Sequence, residues 1–155
     1  MHFLLCFNRQ GKIRLSKFYS TFTHAERNKV TREVSNLVLS RSPKHCNFIL
    51  WKEYTVVYQR YASLFFVFVT DNKDNELITI EAIHKFVILL DMVFENICEL
   101  DLIYEFQKAY MILDEFLLAG EQQDSSNKEI LKAINEADNL EKSLLVSEAL
   151  DEHFL

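Results

Sequence analysis

The chain has 155 residues, 49% of them apolar and 26% charged, with only two glycines and one proline. This is the make-up of one ordinary globular domain, and it excludes collagenous, low-complexity and intrinsically disordered readings. The formal net charge of −6 hides an asymmetry, because residues 1–75 hold 12 Lys+Arg against 5 Asp+Glu while residues 76–155 hold the other 5 against 18. A surplus of that kind points to a basic surface facing an acidic partner. The longest near-continuous apolar run, Tyr61 to Val69, is about half of what a membrane-spanning helix needs. The apolar start, Met1 to Phe7, has neither a basic region before it nor a small-residue cleavage site after it, so no secretory signal is expected. Cys6, Cys46 and Cys98 are odd in number, widely spaced and free of any CxxC, which argues for a reducing, cytosolic setting without disulfides or zinc.

In chain order, Phe3 to Phe7 and Ile13 to Tyr19 read as two strands joined by a glycine-centred turn, a β-hairpin. Thr23-His24-Ala25-Glu26 has capping-box spacing and starts a helix with Val30, Val34, Leu37 and Val38 on its buried stripe, ending before Pro43. Phe48 to Trp51, Tyr54 to Tyr58 and Leu64 to Thr70 follow as strands. The last is apolar at consecutive positions, where a strand with one wet face would alternate, so both of its faces must be covered. Five strands around it imply three layers, a sheet between helices. Asp71 to Asn75 is a loop.

The remainder reads as helical, with no strand. Ile80 to Ile97 forms a helix apolar nearly all round, with a narrow polar strip through Glu81, His84 or Lys85, Asp91 and Glu95, and it needs more than one neighbour. Leu102 to Leu118 forms a second, capped at Gly120, and Ser126-Asn127-Lys128-Glu129 opens a short third that runs to about Ala137. The acidic residues after 140 are expected to be poorly ordered unless tied down.

Catalytic patterns are nearly absent. Glycines only at positions 11 and 120 leave no phosphate-cradling loop and no dinucleotide fingerprint. Glu81-x-x-His84 occurs once, whereas a di-iron bundle needs the motif on two helices. Asp114 and Glu115 are adjacent and diverge by about 100° on a helix, so they do not face one substrate. The aromatics follow core periodicity and no nucleic-acid module signature is present. No enzyme, metal site, cofactor or nucleic-acid partner is expected. The excess of apolar helix surface points instead to another protein.

Five segments, in order, carry a resemblance: Asn8-Arg9-Gln10-Gly11-Lys12-Ile13-Arg14-Leu15, Arg60-Tyr61-Ala62-Ser63-Leu64, Glu81-Ala82-Ile83-His84, Val93 to Leu102, and Ile112 to Gly120. Together they closely resemble the small (sigma) subunits of clathrin adaptor complexes, over roughly residues 1–140. The resemblance implies an α/β (α+β) fold of the longin type, a five-stranded antiparallel sheet flanked by helices on both faces, with residues 141–155 as an acidic C-terminal tail. It also implies a non-enzymatic subunit of a heterotetramer, packed directly on a large adaptor subunit and completed by a second large chain and a medium chain. Clathrin, an Arf-type GTPase and the membrane are reached through the complex. Arg9-Gln10-Gly11-Lys12, Ala62-Ser63-Leu64, Asp74 to Thr79 and Leu131 to Ile134 look most like the sigma chain of the trans-Golgi and endosomal adaptor. The plasma-membrane adaptor, or a longin scaffold without cargo, is the alternative.

The family's ligand is the acidic dileucine sorting signal of membrane cargo: Asp or Glu, three arbitrary residues, then Leu followed by Leu or Ile. Carried over by motif, its leucine pockets are assigned to Ala62, Leu64, Val87, Asn96, Ile97, Leu100 and Leu102, and its acidic position to Arg14. On residue type alone Leu64, Val87, Ile97, Leu100 and Leu102 read as plain core and Arg14 as a solvated strand residue. The resemblance reverses that for the set.

Overall fold

A computed structural model describes residues 1–118, 121–122 and 127–154. Strands β1 (Phe3–Asn8), β2 (Ile13–Phe18), β3 (Phe48–Trp51), β4 (Tyr54–Tyr61) and β5 (Leu64–Asp71) form one sheet in the order β2-β1-β5-β4-β3. Every neighbouring pair is antiparallel. Helix α1 (His24–Leu39) covers one face; α2 (Glu76–Phe94), α3 (Glu99–Tyr104), α4 (Phe106–Phe116) and the first part of α5 (Asn127–Phe154) lie on the other side. None of these helices is long and apolar enough to cross a membrane.

The three layers follow from the sequence of β1 and β5. Alternate residues point to opposite faces of a strand, and here both sets are apolar. Leu4 and Cys6 of β1 join Leu64, Phe66 and Phe68 of β5 in the core under α2 and α4. Phe3, Leu5 and Phe7 join Val67 and Val69 in the core under α1. Phe86 of α2 anchors the larger core, stacked on Phe116 at 5.9 Å between ring centroids and edge-on to Phe66 at 6.1 Å.

Local signals set the boundaries. Gly11 sits at φ +79°, in the left-handed region a side chain disfavours, and Asn8 Oδ1 closes the hairpin turn by accepting from the amides of Gln10 (2.9 Å) and Lys12 (3.0 Å). Thr23 forms the expected capping box with Glu26, and α1 stops at Ser40. Asn75 caps α2 through the Leu77 amide (2.9 Å).

Four expectations are corrected. The helix predicted to reach Ile97 ends at Phe94, because Glu95 (φ +52°) and Asn96 (φ +74°) both adopt left-handed backbone. The helix predicted over Leu102–Leu118 is two helices, broken where Glu105 leaves helical dihedrals (φ −119°, ψ 39°). The break lets Leu102 turn into the core while α4 follows α2. Leu117–Leu118 pairs with Glu121–Gln122 as two short strands, β6 and β7, where none was expected. Instead of a short helix to about Ala137 and a loose tail, α5 continues to Phe154. Ile130 and Ile134 bury its first turns and Lys108 pairs with Asp138 at 3.1 Å, whereas residues 139–150 are exposed throughout. The expected cap at Gly120 and the Ser126 end of the capping box lie outside the described residues.

Replacing Phe86 by Ala removes a ring packed on three others and is expected to cost about 3–5 kcal/mol. Leu50→Ser, at a side chain 80% exposed, is expected to stay within about 0.5 kcal/mol. Urea unfolding midpoints of the two variants check the difference.

Candidate functional site

The assigned residues gather at one end of the larger core, where the start of β5, α2, the α2–α3 link, α3 and the hairpin meet. Leu64, Val87, Ile97 and Leu102 belong to the same apolar cluster. Leu64, Ile97 and Leu102 are 0%, 3% and 1% exposed, so in this chain they are closed over rather than presented as pockets. Val87 differs, since it also borders a cleft of about 370 Å³ between β4 and α2, walled by Tyr61, Leu77, Ile80 and His84. Leu100 is 58% exposed at the start of α3. Ala62, in the β4–β5 turn at φ +54°, and Asn96 are also exposed. The set therefore forms a buried apolar floor with Ala62, Asn96 and Leu100 at its rim.

Arg14 owes its position to a β-bulge. Cys6 pairs with Leu15 but Phe7 pairs with Ile13, so Arg14 is the extra residue on β2. The register shift puts Leu15 into the core under α2 and Ile13 against the core under α1, which strict alternation would place on one face. The side chain of the bulged residue is thereby sent to α3. Its Nε and Nη2 donate to Glu99 Oε1 at 2.9 and 2.8 Å, and Asn8 Nδ2 donates to the same oxygen at 2.8 Å. Asn8 thus ties the hairpin turn to the first residue of α3, and it is itself the cross-strand partner of Leu64.

Two carboxylates that sequence reasoning passed over hold this arrangement. In the sequence Glu99 stands out only as part of the Val93 to Leu102 segment, and Asp91 only as one position on a polar strip. Asp91 Oδ2 accepts from the Tyr61 hydroxyl at 2.6 Å and Oδ1 from the Ile97 amide at 2.8 Å. Its carbonyl accepts from the amides of Glu95 and Asn96. One residue therefore joins the end of β4 to the left-handed turn that carries Asn96 and Ile97. The only local signal was an acidic residue on a helix otherwise apolar nearly all round, a position that calls for a polar partner. Hydrogen bonding to Asp91 pushes the Tyr61 hydroxyl pKa up. Hydrogen bonds from Arg14, and then Asn8, hold the Glu99 carboxyl below its ordinary value.

Helices α2 to α4 expose Leu77 and Ile78 at the start of α2, Met92 near its end, and Tyr104 and Phe106 around the α3–α4 break. This is the apolar excess the sequence anticipated. Among the described residues no group of three or more His, Cys, Asp or Glu is placed to hold a metal ion.

Glu99 holds its proton less tightly folded than unfolded, so its network contributes stability above the unfolded-chain pKa and loses it as pH falls through the lower folded value. Thermal unfolding is therefore expected to become easier below about pH 4.5, and Glu99→Gln is expected to flatten that acid limb. Asp91→Ala is expected to cost about 1–3 kcal/mol and to speed amide exchange at Asn96 and Ile97 first, as hydrogen-exchange mass spectrometry would show.

Comparison with known proteins agrees with this architecture. The clathrin adaptor complex small chain family matches residues 1–141. The AP-1 complex subunit sigma-1 of Dictyostelium discoideum is 70% identical over 155 residues, covering 100% of this chain and 99% of that protein. The human AP-1 complex subunit sigma-1A is 53% identical over 142 residues, 92% of this chain and 90% of that one. A chain in a homology model of the full-length AP-3 complex in a stretched open conformation superposes with a TM-score of 0.73 at 24% identity, covering 95% of this chain and 98% of that chain, a likeness of fold. A bulged hairpin, a sheet covered on both faces and an unbroken match across these lengths have one explanation: the chain belongs to the clathrin adaptor complex small chain (sigma) family.

Proposed function

We propose that this chain is the small subunit of an AP-1-type heterotetrameric adaptor, that it stabilises the core of that complex, and that it binds acidic dileucine signals of cargo moving between the trans-Golgi network and endosomes. The observation that carries the reading is the 70% identity, over essentially both full lengths, to a protein named as an AP-1 sigma subunit. In this reading residues 1–140 are the adaptor unit and 141–155 extend it. The exposed apolar residues of α2 to α4 dock on a large subunit, with a second large chain and a medium chain completing the core. Clathrin, an Arf-type GTPase and the membrane are engaged through the assembled complex.

The cargo site has the required chemistry in outline. A dileucine pair seeks apolar holes, each leucine being worth about 1.5–3 kcal/mol gross, and its acidic residue seeks a cation. Val87 at its cleft and Leu100 at the rim supply accessible apolar contacts, and the closed floor of Leu64, Ile97 and Leu102 lies beneath. Entry of both leucines requires the Ala62 turn or the Asn96–Leu100 segment to shift. Arg14 meets an acidic residue only by sharing its guanidinium with Glu99. Both requirements, with the ordering of a peptide, hold the affinity to about micromolar.

The same observations favour one second reading, a longin scaffold that takes no cargo, because the floor is sealed and Arg14 is already paired. A plasma-membrane adaptor subunit is the other alternative, and co-purification of the large chains separates it from the AP-1 type.

Calorimetry of a dileucine peptide with the assembled complex tests the cargo site. Val87→Ser and Leu100→Ser are each expected to weaken binding about tenfold, and raised salt to weaken the acidic peptide more than its Gln counterpart. Unchanged affinity in both variants would reject the site; an intact complex with no peptide affinity selects the scaffold.

A further inference from the structure

On the α1 side of the sheet, away from Ile97 and Leu102, a cavity of about 480 Å³ opens between the end of α1, the segment 40–47 and strands β4 and β5. Arg9, Arg41, Arg60 and His45 line it, with Asn47 and Tyr58, and no carboxylate does. All three arginines come from the sequence's basic half. Several cations elsewhere pair with a carboxylate, as in Arg14–Glu99, Lys17–Asp114, Lys52–Glu33 and Lys108–Asp138. None of Arg9, Arg41 and Arg60 has a carboxylate within 4.0 Å among the described residues.

Neutral groups hold the guanidinium groups of Arg41 and Arg60, so their charge stays uncompensated. Arg41 Nη2 donates to the Cys46 carbonyl at 3.0 Å, and its Nε is buried without a hydrogen-bond partner. Arg60 Nε donates to the Ala62 carbonyl at 3.3 Å, with its guanidinium 6.0 Å from the centre of the Phe65 ring. The Ser42 amide donates to His45 Nδ1 at 3.3 Å, which leaves Nε2–H as the donor of the neutral ring. Three like charges around one concavity repel each other, and the field between low-dielectric walls is focused on whatever anion enters.

From this geometry we propose that the cavity is a binding site for a compact ligand carrying two or more phosphate groups, such as a phosphorylated inositol headgroup. Two features select that class. One carboxylate offsets a single arginine, whereas each phosphate monoester brings about −1.5 to −2 charges and oxygens that match the guanidinium fork. The volume falls within the roughly 300–1,000 Å³ of small-ligand pockets, so the site suits a headgroup that enters rather than a flat protein face. A membrane lipid and a free inositol phosphate present the same headgroup, and the chemistry of recognition is the same.

The test uses the assembled adaptor complex built with wild-type chain, Arg41→Gln or Arg9→Gln. Titration calorimetry with inositol trisphosphate and with inorganic phosphate measures the soluble arm, and co-sedimentation with phosphatidylcholine vesicles, with and without phosphatidylinositol bisphosphate, measures the lipid arm. The wild-type complex is expected to bind inositol trisphosphate more tightly than phosphate, and each substitution to weaken it about tenfold or more. Recruitment to the doped vesicles that drops in the variants identifies a lipid headgroup; the soluble effect without recruitment identifies a free one. Arg9 lies outside segment 40–47, so Arg9→Gln decides the matter if Arg41→Gln fails to assemble. Affinity that is absent, or equal in wild type and variants, overturns the proposal. So does protection of 40–47 from hydrogen exchange on assembly alone, which would mean that a neighbouring subunit fills the cavity.

Discussion

Strands β1 and β5 lie at the centre of the sheet with apolar side chains on both faces, and no single helix layer can hide them. Everything else follows from having to cover both sides at once. One helix suffices over Phe3, Leu5, Phe7, Val67 and Val69, because α1 brings Val30, Val34 and Val38 in one stripe. The other face carries Leu64, Phe66 and Phe68 and takes four helices, whose own outward apolar residues then need a further neighbour. The chain belongs to a family of adaptor-complex small chains, and apolar residues left outside its own core are the kind of surface that assembly covers.

Polar chemistry enters where the layers must be pinned at their ends. Asp91 and Glu99 each join a far part of the chain to their own: Asp91 links β4 to α2 and the turn after it, and Glu99 links the hairpin turn and the bulge on β2 to α3. A half-buried carboxylate with several donors is most useful where loops converge, because it satisfies backbone and side-chain donors that hydrophobic packing cannot. The same network makes Arg14 a shared cation rather than a free one, which sets how strongly any acidic partner can be drawn to it. The two faces of the sheet consequently present different electrostatics: a compensated arginine on the α2 side and an uncompensated cluster on the α1 side.

Much of the fold was legible in the sequence. The unbroken apolar run of β5 specified two-sided burial, the Thr23 to Glu26 spacing placed the start of α1 to the residue, and Gly11 marked the hairpin turn. The errors fell where backbone conformation is not written in side-chain periodicity. Ile97 keeps helical spacing yet lies beyond two left-handed residues, and Glu105 interrupts an apolar pattern that runs on without pause. Neither Glu95 nor Glu105 is a residue type that signals a break. For the candidate site, resemblance gave the residue set, and residue type alone read its apolar members as core, which holds for Leu64, Val87, Ile97 and Leu102 but not for Leu100; Arg14, read as solvated, is paired with Glu99.

The sequence by itself determined the layer order, the two-faced central strand, the start of α1 and the surplus of apolar and basic residues, because these are properties of pattern and composition along short stretches of chain. Only the tertiary structure decided that Arg14 stands on a bulge facing Glu99, that Asp91 clamps the turn bearing Ile97, and that Arg9, Arg41 and Arg60 share one cavity. Those are contacts between residues far apart in sequence, and their geometry is fixed by how the covered sheet closes, which no local pattern encodes.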